Sequence, residues 1–521
     1  MVSTAAQPEE TQPAARIGFV MTALLTTMLM SSLGQMIFAT ALPTIVGELG
    51  GVDKMSWVIS AFLVMMTTAM PIFGKVGDLI GRKYLYLTGI GIFLIGSTLG
   101  GFAHTMTLLI IGRAIQGFGA GGMMVTSQSI LAEVVPARQR GKFMGIMGAV
   151  FGVSSVLGPV LGGWFTDGPG WRWGLWMNIP LGIIALIISA SVLHLRKGNG
   201  EQRRYDWLGT VFLALFTSSL ILTTTWGGTQ YPWGSGRIIG LGITAAVAAV
   251  AFVLTELKAS EPLIPMRMFR NRNMSLTTMA GIVLGVAMAG ALGYMPTYLQ
   301  MVHALTPTEA GLMMIPMMAG MIITSTSVGN MITRTGNYKI YPIIGMIIVA
   351  ISLWLMSRFH ASSSLTHVGV VLFFFGFGLG MVIQVLVMIV QNSFPIRMVG
   401  TATAANNFFR QVGASVGASL VGSLFVHNMR NNLQENLPAA IAKMGPAGAP
   451  YAAQFSNASG KGANSLTPQM VLSMPEPIKQ VILNAYNDGL TPIFAAMVPL
   501  AIISMLLLIP VKEEQLKETI D

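Results

Sequence analysis

Arg113 and Arg410 stand inside long apolar runs of the sequence, where each polar side chain needs a reason. A guanidinium facing lipid at the centre of a bilayer costs at least ~2.5–3.5 kcal/mol, so both are expected to face a wet or polar interior. Their chemistry is that of fixed cations: arginine donates hydrogen bonds, keeps its charge and does not titrate near neutral pH. Amides accompany them. Gln35 lies at a depth similar to Arg113 and is expected within its reach, Gln116 follows Arg113 by one turn, and Asn406, Asn407 and Gln411 flank Arg410. Gln384, midway along another apolar run, is expected to line a cavity because a lone amide facing lipid is costly. Asn178 and Tyr294 are read the same way. These ten are the candidates for binding or coupling. The alternative is structural, with each arginine satisfied by helix carbonyls and neighbouring amides.

What is missing matters as much. None of the 19 acidic residues falls deep within an apolar run; Asp78 and Glu133 sit at the inner ends of theirs, and Asp206 and Glu256 at helix margins. An interior holding arginines and no deep carboxylate is neutral to positive. It favours neutral or anionic amphiphiles over cations. A proton-coupling group must titrate near working pH, which leaves Asp78, Glu133, an acid near the other membrane face, or the cargo itself. The chain has no cysteine, no His-Glu-x-x-His and no buried pair of acids, so no catalytic residue, metal site or cofactor is expected and the chain is not read as an enzyme. Without a G-x-x-x-x-G-K-[ST] phosphate loop, it carries no ATP-driven engine of its own.

The elements that position these residues are membrane helices. Charged residues make up 9% of the chain and apolar residues 53%, against roughly 25% charged in a soluble domain. A spanning helix needs about 20 apolar residues, and fourteen segments qualify: 17–41, 56–74, 84–103, 108–132, 142–166, 174–194, 207–226, 237–257, 275–300, 310–331, 339–357, 367–391, 402–426 and 490–510. The first is too long for a secretory signal. Most lysines and arginines fall on one side if the N-terminus is cytoplasmic, so both termini are expected inside. That asymmetry also accounts for the +11 net charge without a nucleic-acid partner. The stretch 427–489, rich in Ala, Gly, Pro and Asn, is expected as a long outer loop with room for a short amphipathic helix near 475–486.

The chain repeats itself. Pro136-Ala137-Arg138-Gln139-Arg140-Gly141 is echoed by Pro395-Ile396-Arg397-Met398-Val399-Gly400, and the stretch Gly74–Tyr86 by Gly329–Tyr341, sharing Gly74/Gly329, Gly81/Gly336 and the closing tyrosine. Such repeats build the two halves of many secondary transporters around a central site. Segments 1–6 pair with 9–14, leaving 7 and 8 as an insert. The expected division is a cytoplasmic tail 1–16, a six-helix bundle 17–196, two linker helices 197–258, a second bundle 259–510 and a tail 511–521.

Several stretches are similar to motifs of one family. Gly74-Lys75-Val76-Gly77-Asp78-Leu79-Ile80-Gly81-Arg82-Lys83 resembles the signature loop of the major facilitator superfamily. Arg113-Ala114-Ile115-Gln116-Gly117 resembles its buried-arginine motif. Gly158-Pro159-Val160-Leu161-Gly162-Gly163 is similar to the motif of its exporters. The run Trp171 to Gly182 and Asn406-Asn407-Phe408-Phe409-Arg410-Gln411-Val412-Gly413 resemble the fourteen-span drug:proton antiporter branch (EmrB/QacA type). That branch usually carries an aspartate near the end of its first span, where this chain has Gly34.

The resemblance implies an all-α integral membrane protein of the plasma membrane. It has two pseudo-symmetric six-helix bundles plus two inserted helices, exporting small amphipathic compounds by alternating access in exchange for protons, as in multidrug resistance. Gly74, Gly77, Asp78, Gly81, Arg82, Gly158, Pro159, Gly162 and Gly163 then serve conformational change. Export of lipid-like or anionic metabolite cargo is the alternative transporter reading, and a non-transporting receptor the alternative class. The expected partners are a small amphipathic substrate, protons and the bilayer; a monomer suffices.

Overall fold

A computed structural model describes residues 14–51, 54–195, 205–228, 230–445, 470–471 and 473–516. Among these residues there is no strand, only an isolated bridge between Gly227 and Tyr231. The helices are α1 (Ala14–Leu49), α2 (Met55–Ile80), α3 (Arg82–Gly101), α4 (Met106–Val134), α5 (Ala137–Asp167), α6 (Trp173–Trp176), α7 (Asn178–Val192), α8 (Trp207–Trp226), α9 (Gly236–Lys258), α10 (Arg272–Val302), α11 (Pro307–Leu312), α12 (Ile315–Thr335), α13 (Ile340–Met356), α14 (Leu365–Asn392), α15 (Val399–Lys443) and α16 (Glu476–Leu508). Thirteen described helices are long and apolar enough to cross a membrane, counting α6–α7 and α11–α12 as one each. The remaining apolar helix, α13, has 17 residues.

Side chains at the helix starts explain where many of them begin. Thr105, Asp206, Ser235, Asn271 and Ser364 each accept a backbone N–H of the first turn that follows, and Thr306 with Glu309 forms a reciprocal capping box. The turn between α2 and α3 is made by Gly81, whose φ of 105° disfavours any side chain, and α12 ends at its repeat partner Gly336, left-handed at φ 77°. The glycines shared by the two repeats thus stop equivalent helices.

Packing follows the repeat. In the first half α1 packs on α5, α2 on α4, α3 on α4 and α1 on α7; in the second α10 packs on α15, α12 on α14, α13 on α14 and α10 on α16. The halves meet along two seams related by the same pseudo-symmetry, α2 against α15 and α5 against α12. Inserted α8 lies on α2 and α15. The connection from α9 into the second half is tied down twice: Glu256 accepts the backbone N–H groups of Leu263 and Ile264 at 3.2 and 3.0 Å, and Lys75 of α2 pairs with Glu261 at 2.7 Å.

The stretch 427–489 is not a loop at its ends. Helix α15 continues to Lys443, and α16 begins at Glu476 as one continuous helix rather than a separate short one; residues 446–469 lie outside the described residues. Phe425, Met429, Leu433 and Leu437 recur every four residues and bury against Ile478, Ile482 and Ala485 of α16. This apolar stripe continues a helix that polar composition alone disguises.

Candidate functional site

Two levels of the interface between the halves carry the interactions that matter. The first is its basic end, where the Gly74–Tyr86 and Gly329–Tyr341 stretches lie. There Gly74 and Gly329 each meet a glycine of the opposite half. A Cβ on Gly74 would stand 2.4 Å from Ala404 Cβ and 2.8 Å from the Gly400 carbonyl oxygen. A Cβ on Gly329 would stand 2.2 Å from the Gly141 carbonyl oxygen. The two repeated motifs therefore interlock crosswise, Gly74 with Gly400 and Gly329 with Gly141.

The α2–α15 seam adds a charged latch. Asp78 accepts from the backbone N–H groups of Gly400 (3.1 Å) and Thr401 (2.7 Å) and from the Thr401 hydroxyl (2.9 Å), so its carboxylate sits at the N-terminus of α15, where helix N–H groups favour an anion. Arg82 bonds Asp78 at 2.8 Å and Glu133 at 3.2 Å, and donates to the Ile396 carbonyl across the seam at 2.6 Å. On the other seam the position equivalent to Asp78 is Thr333. Its carbonyl accepts from Arg138 at 3.3 Å, and the Arg334 carbonyl accepts at 3.2 Å. One seam is latched by charge, its counterpart by backbone carbonyls. Gly77 packs on Leu85 and Arg82 within its own half.

The second level is deeper. Arg410 is 11 residues into α15 from Val399, about 16 Å at 1.5 Å per residue, near the middle of a hydrocarbon core of about 30 Å. Its Nη2 donates to Asn407 Oδ1 at 2.8 Å, and Asn407 Nδ2 donates to Gln128 Oε1 of α4 at 2.6 Å, across the two halves. The direction of this chain is fixed by chemistry. Arginine only donates, so Asn407 must turn its oxygen to Arg410 and its nitrogen to Gln128, which must offer its own oxygen in return. Gln128 Nε2 is thereby left over, buried and without a partner. Gln391 of α14 donates to the Gln128 carbonyl at 3.1 Å and to Thr403 at 3.0 Å, and its Oε1 is likewise unpartnered. Asn406, 1% exposed, has no partner for Nδ2. The cluster spans both halves, with donors to spare.

Arg113 behaves differently. It is wholly buried within the first half, its guanidinium between the rings of Phe38 and Phe62, 4.2 Å from each centroid. Nε donates to the Val58 carbonyl, and Nη1 to the Gly34 carbonyl at 2.8 Å and Gln116 Oε1 at 2.5 Å, while Gln116 donates to Ser97. Its contacts are with the Gly34 backbone rather than with Gln35. Gln35 instead lines a cavity of about 20 Å³ with Ser31, Ser32 and Phe151, and Gln384 lines another of about 10 Å³ on the α5–α12 seam. Each has room for about one water, far below the roughly 300–1,000 Å³ of a drug-sized site. Neither holds cargo in this conformation.

The other expected residues fall elsewhere. Asn178 donates to the Gly174 carbonyl at the start of α7, and Tyr294 packs on Phe425 with its hydroxyl 3.5 Å from the Ala418 carbonyl; both are away from the cross-half cluster. Gln411 is half-buried beside Arg410. Gly158 admits α1, since its Cβ would be 2.3 Å from Met36 Cβ, whereas a Cβ on Gly163 would meet nothing within 4 Å. Pro159 and Gly162 lie in the same stretch of α5. Gln128, Gln391 and Thr403 escaped the sequence reading, although the argument that singled out Gln384, a lone amide inside a span, applies equally to both glutamines. Among the described residues no group of His, Cys, Asp and Glu is arranged to hold a metal.

At the end opposite the basic one, Glu48 of α1 accepts from Arg172 at 2.6 Å and from Trp171 Nε1 at 2.7 Å. The hydrogen bond from Arg172, followed by that from Trp171, holds the Glu48 carboxyl below the usual glutamate range.

Comparison with known proteins agrees with this architecture. The Major Facilitator Superfamily profile matches residues 24–418. An uncharacterized MFS-type transporter of Mycobacterium tuberculosis is 38% identical over 97% of this chain and 71% of its own length. The multidrug transporter protein MdtP of Bacillus subtilis is 34% identical over 91% of this chain and 87% of its own, and multidrug resistance protein 3 of that organism 33% over 94% of each. The human organic anion transporter MFSD10 superposes with a TM-score of 0.62 over 95% of this chain at 14% identity, a likeness of fold alone. With two pseudo-symmetric halves, an interlocked glycine crossing and a profile match over most of its length, this multi-pass membrane chain belongs to the major facilitator superfamily.

Proposed function

We propose that the chain is a secondary exporter of small amphipathic compounds, a multidrug-type efflux pump of the plasma membrane with fourteen spans and both termini in the cytoplasm, exchanging cargo for protons by alternating access. The observation that carries the reading is the crosswise closure of one end of the interface over a polar cluster shared by both halves. Glycine pairs, the Asp78–Arg82 latch and the Lys75–Glu261 pair hold that end through non-covalent contacts, so the halves can part there. The basic end is then the cytoplasmic one. Two Bacillus subtilis relatives at 33% and 34% identity are named as multidrug proteins, which supports the cargo class.

The test is flux. In proteoliposomes with an imposed pH gradient, a fluorescent lipophilic probe should be moved against its own gradient, and collapsing the pH gradient should stop it. Movement that ignores the gradient would remove proton exchange from the proposal. Movement that only ever follows the probe's own gradient would remove export.

A further inference from the structure

The cross-half cluster has more donors than acceptors, and the surplus has a sign. Arg410 is half-buried and makes one hydrogen bond, leaving its remaining N–H groups uncommitted. The chain Arg410–Asn407–Gln128 consumes the oxygens of both amides and leaves the Gln128 nitrogen over. Asn406, one turn before Arg410 and so on the same face of α15, has a second free amide nitrogen. No carboxylate among the described residues lies within 4 Å of Arg410. The two acids at the basic end of the interface are already used: Asp78 by Arg82, Gly400 and Thr401, and Glu133 by Arg82. The guanidinium has no protein counter-ion at mid-membrane depth, where a lone charge is costly. Gly281 and Gly285 of α10 hold the backbone at Arg410 close, so the side chain has a fixed base from which to reach the interface.

We propose that Arg410, with the amide nitrogens of Gln128 and Asn406, is the counter-ion site for cargo bearing a carboxylate on an apolar body. The inference rests on the exporter reading and narrows it to amphipathic acids. Arg410 supplies charge, the amides supply directed donors, and because Gln128 belongs to one half and Arg410 to the other, a carboxylate bound between them senses the separation of the halves. An ammonium head would meet the like charge of Arg410 and mostly donors, with Gln391 Oε1 as the unpartnered acceptor described in the cluster. An uncharged amide head would lose the ionic attraction and keep only hydrogen bonds.

Three probes sharing one dansyl-undecyl body and ending in carboxylate, carboxamide or trimethylammonium test this by fluorescence binding to the purified protein in zwitterionic vesicles. The acid should bind at least tenfold more tightly than either analogue. Arg410→Gln should remove that difference by weakening the acid most, with an unchanged circular-dichroism melting curve showing that the variant folds, and Arg410→Lys should retain part of it. Competition by added oleate would place the acid on a lipid-derived chain, and competition by a short aromatic carboxylate such as naphthoate but not by oleate would place it on a free small molecule; either outcome keeps the site. Equal affinity for acid and ammonium, no binding of any probe, or a preference that survives Arg410→Gln would overturn the proposal. Export of the carboxamide with no preference for the acid would leave the exporter standing and sink the anion site. Preferential binding of the acid without outward movement would do the reverse.

Discussion

Replacing Gly329 with alanine perturbs the closed end at its tightest point. The added Cβ would stand 2.2 Å from the Gly141 carbonyl oxygen, 2.8 Å from its carbon and 3.2 Å from Lys142 Cα. All three are backbone atoms of a helix, with no flexible tip to swing aside. Ordinary contact needs roughly 3.4 Å or more, so α5 and α12 must part locally by about 1 Å. Overpacking of this kind costs about 1–3 kcal/mol, equivalent to a shift of roughly 5–150-fold in the balance between closed and open conformers. The gain in helix propensity from Gly to Ala, about 1 kcal/mol, applies in both conformers and does not bias them. The chain has no cysteine, so spin labels at Lys142→Cys and Met331→Cys, both exposed positions on the two helices, report this distance cleanly. Gly329→Ala should move the distance distribution to longer values. Gly163→Ala, whose Cβ meets nothing within 4 Å, should leave it alone. An unchanged or shortened distribution in Gly329→Ala would refute the crosswise glycine closure.

Three further outcomes follow from the same contacts. Asp78→Asn should weaken the α2–α15 latch by about 1–3 kcal/mol, since a buried charge-assisted contact is lost, and speed amide hydrogen exchange at Gly400 and Thr401; unaltered exchange there would exclude the latch. Gly34→Asp has space, its Cβ being 3.5 Å from Phe93 and 3.8 Å from Gln116 Nε2, and should bring a carboxylate beside Arg113 and widen the exported range toward cations. A folded variant with the parental cargo profile would count against a role for charge at that position. Glu48, held below its usual range by Arg172 and then Trp171, contributes stability that is complete above the ordinary glutamate pKa and is lost as pH falls through its lowered value. Hydrogen exchange around 168–176 should therefore rise on acidification, and Glu48→Gln should flatten that dependence; a profile unchanged by the substitution would contradict the assignment.

How far the fold can be read from residues alone differs from place to place. The spans are legible because lipid imposes a composition that nothing else demands, and the repeat is legible because Gly74, Gly81, Gly329 and Gly336 answer steric needs that only glycine meets. Which glycines touch is not. The crosswise partnership of Gly329 with Gly141 depends on how two halves dock, information that no local window contains. Helix α15 beyond residue 427 was hidden for a related reason: Asn428, Asn431, Asn432 and Asn436 read as loop, and the Met429–Leu433–Leu437 stripe gains meaning only when α16 lies against it. Arg113 and Arg410 looked alike in sequence. One is enclosed by Phe38, Phe62 and carbonyls of its own half, while the other reaches a residue of the opposite half through Asn407. Gln128 carries the same local signal as Gln384, a lone amide inside a span, but that it meets Asn407 is set by the docking of the halves.

Alternating access requires two halves that part at one end as they close at the other. Label pairs at Lys142 and Met331 on the basic end, and at Trp164 and Leu312 toward the opposite end of α5 and on α11, measured in the same vesicles with and without a pH gradient and bound probe, test it directly. The two distances should change in opposite directions, one lengthening as the other shortens. Distances that lengthen together, or that stay fixed under every condition, would contradict the rocking of one half against the other.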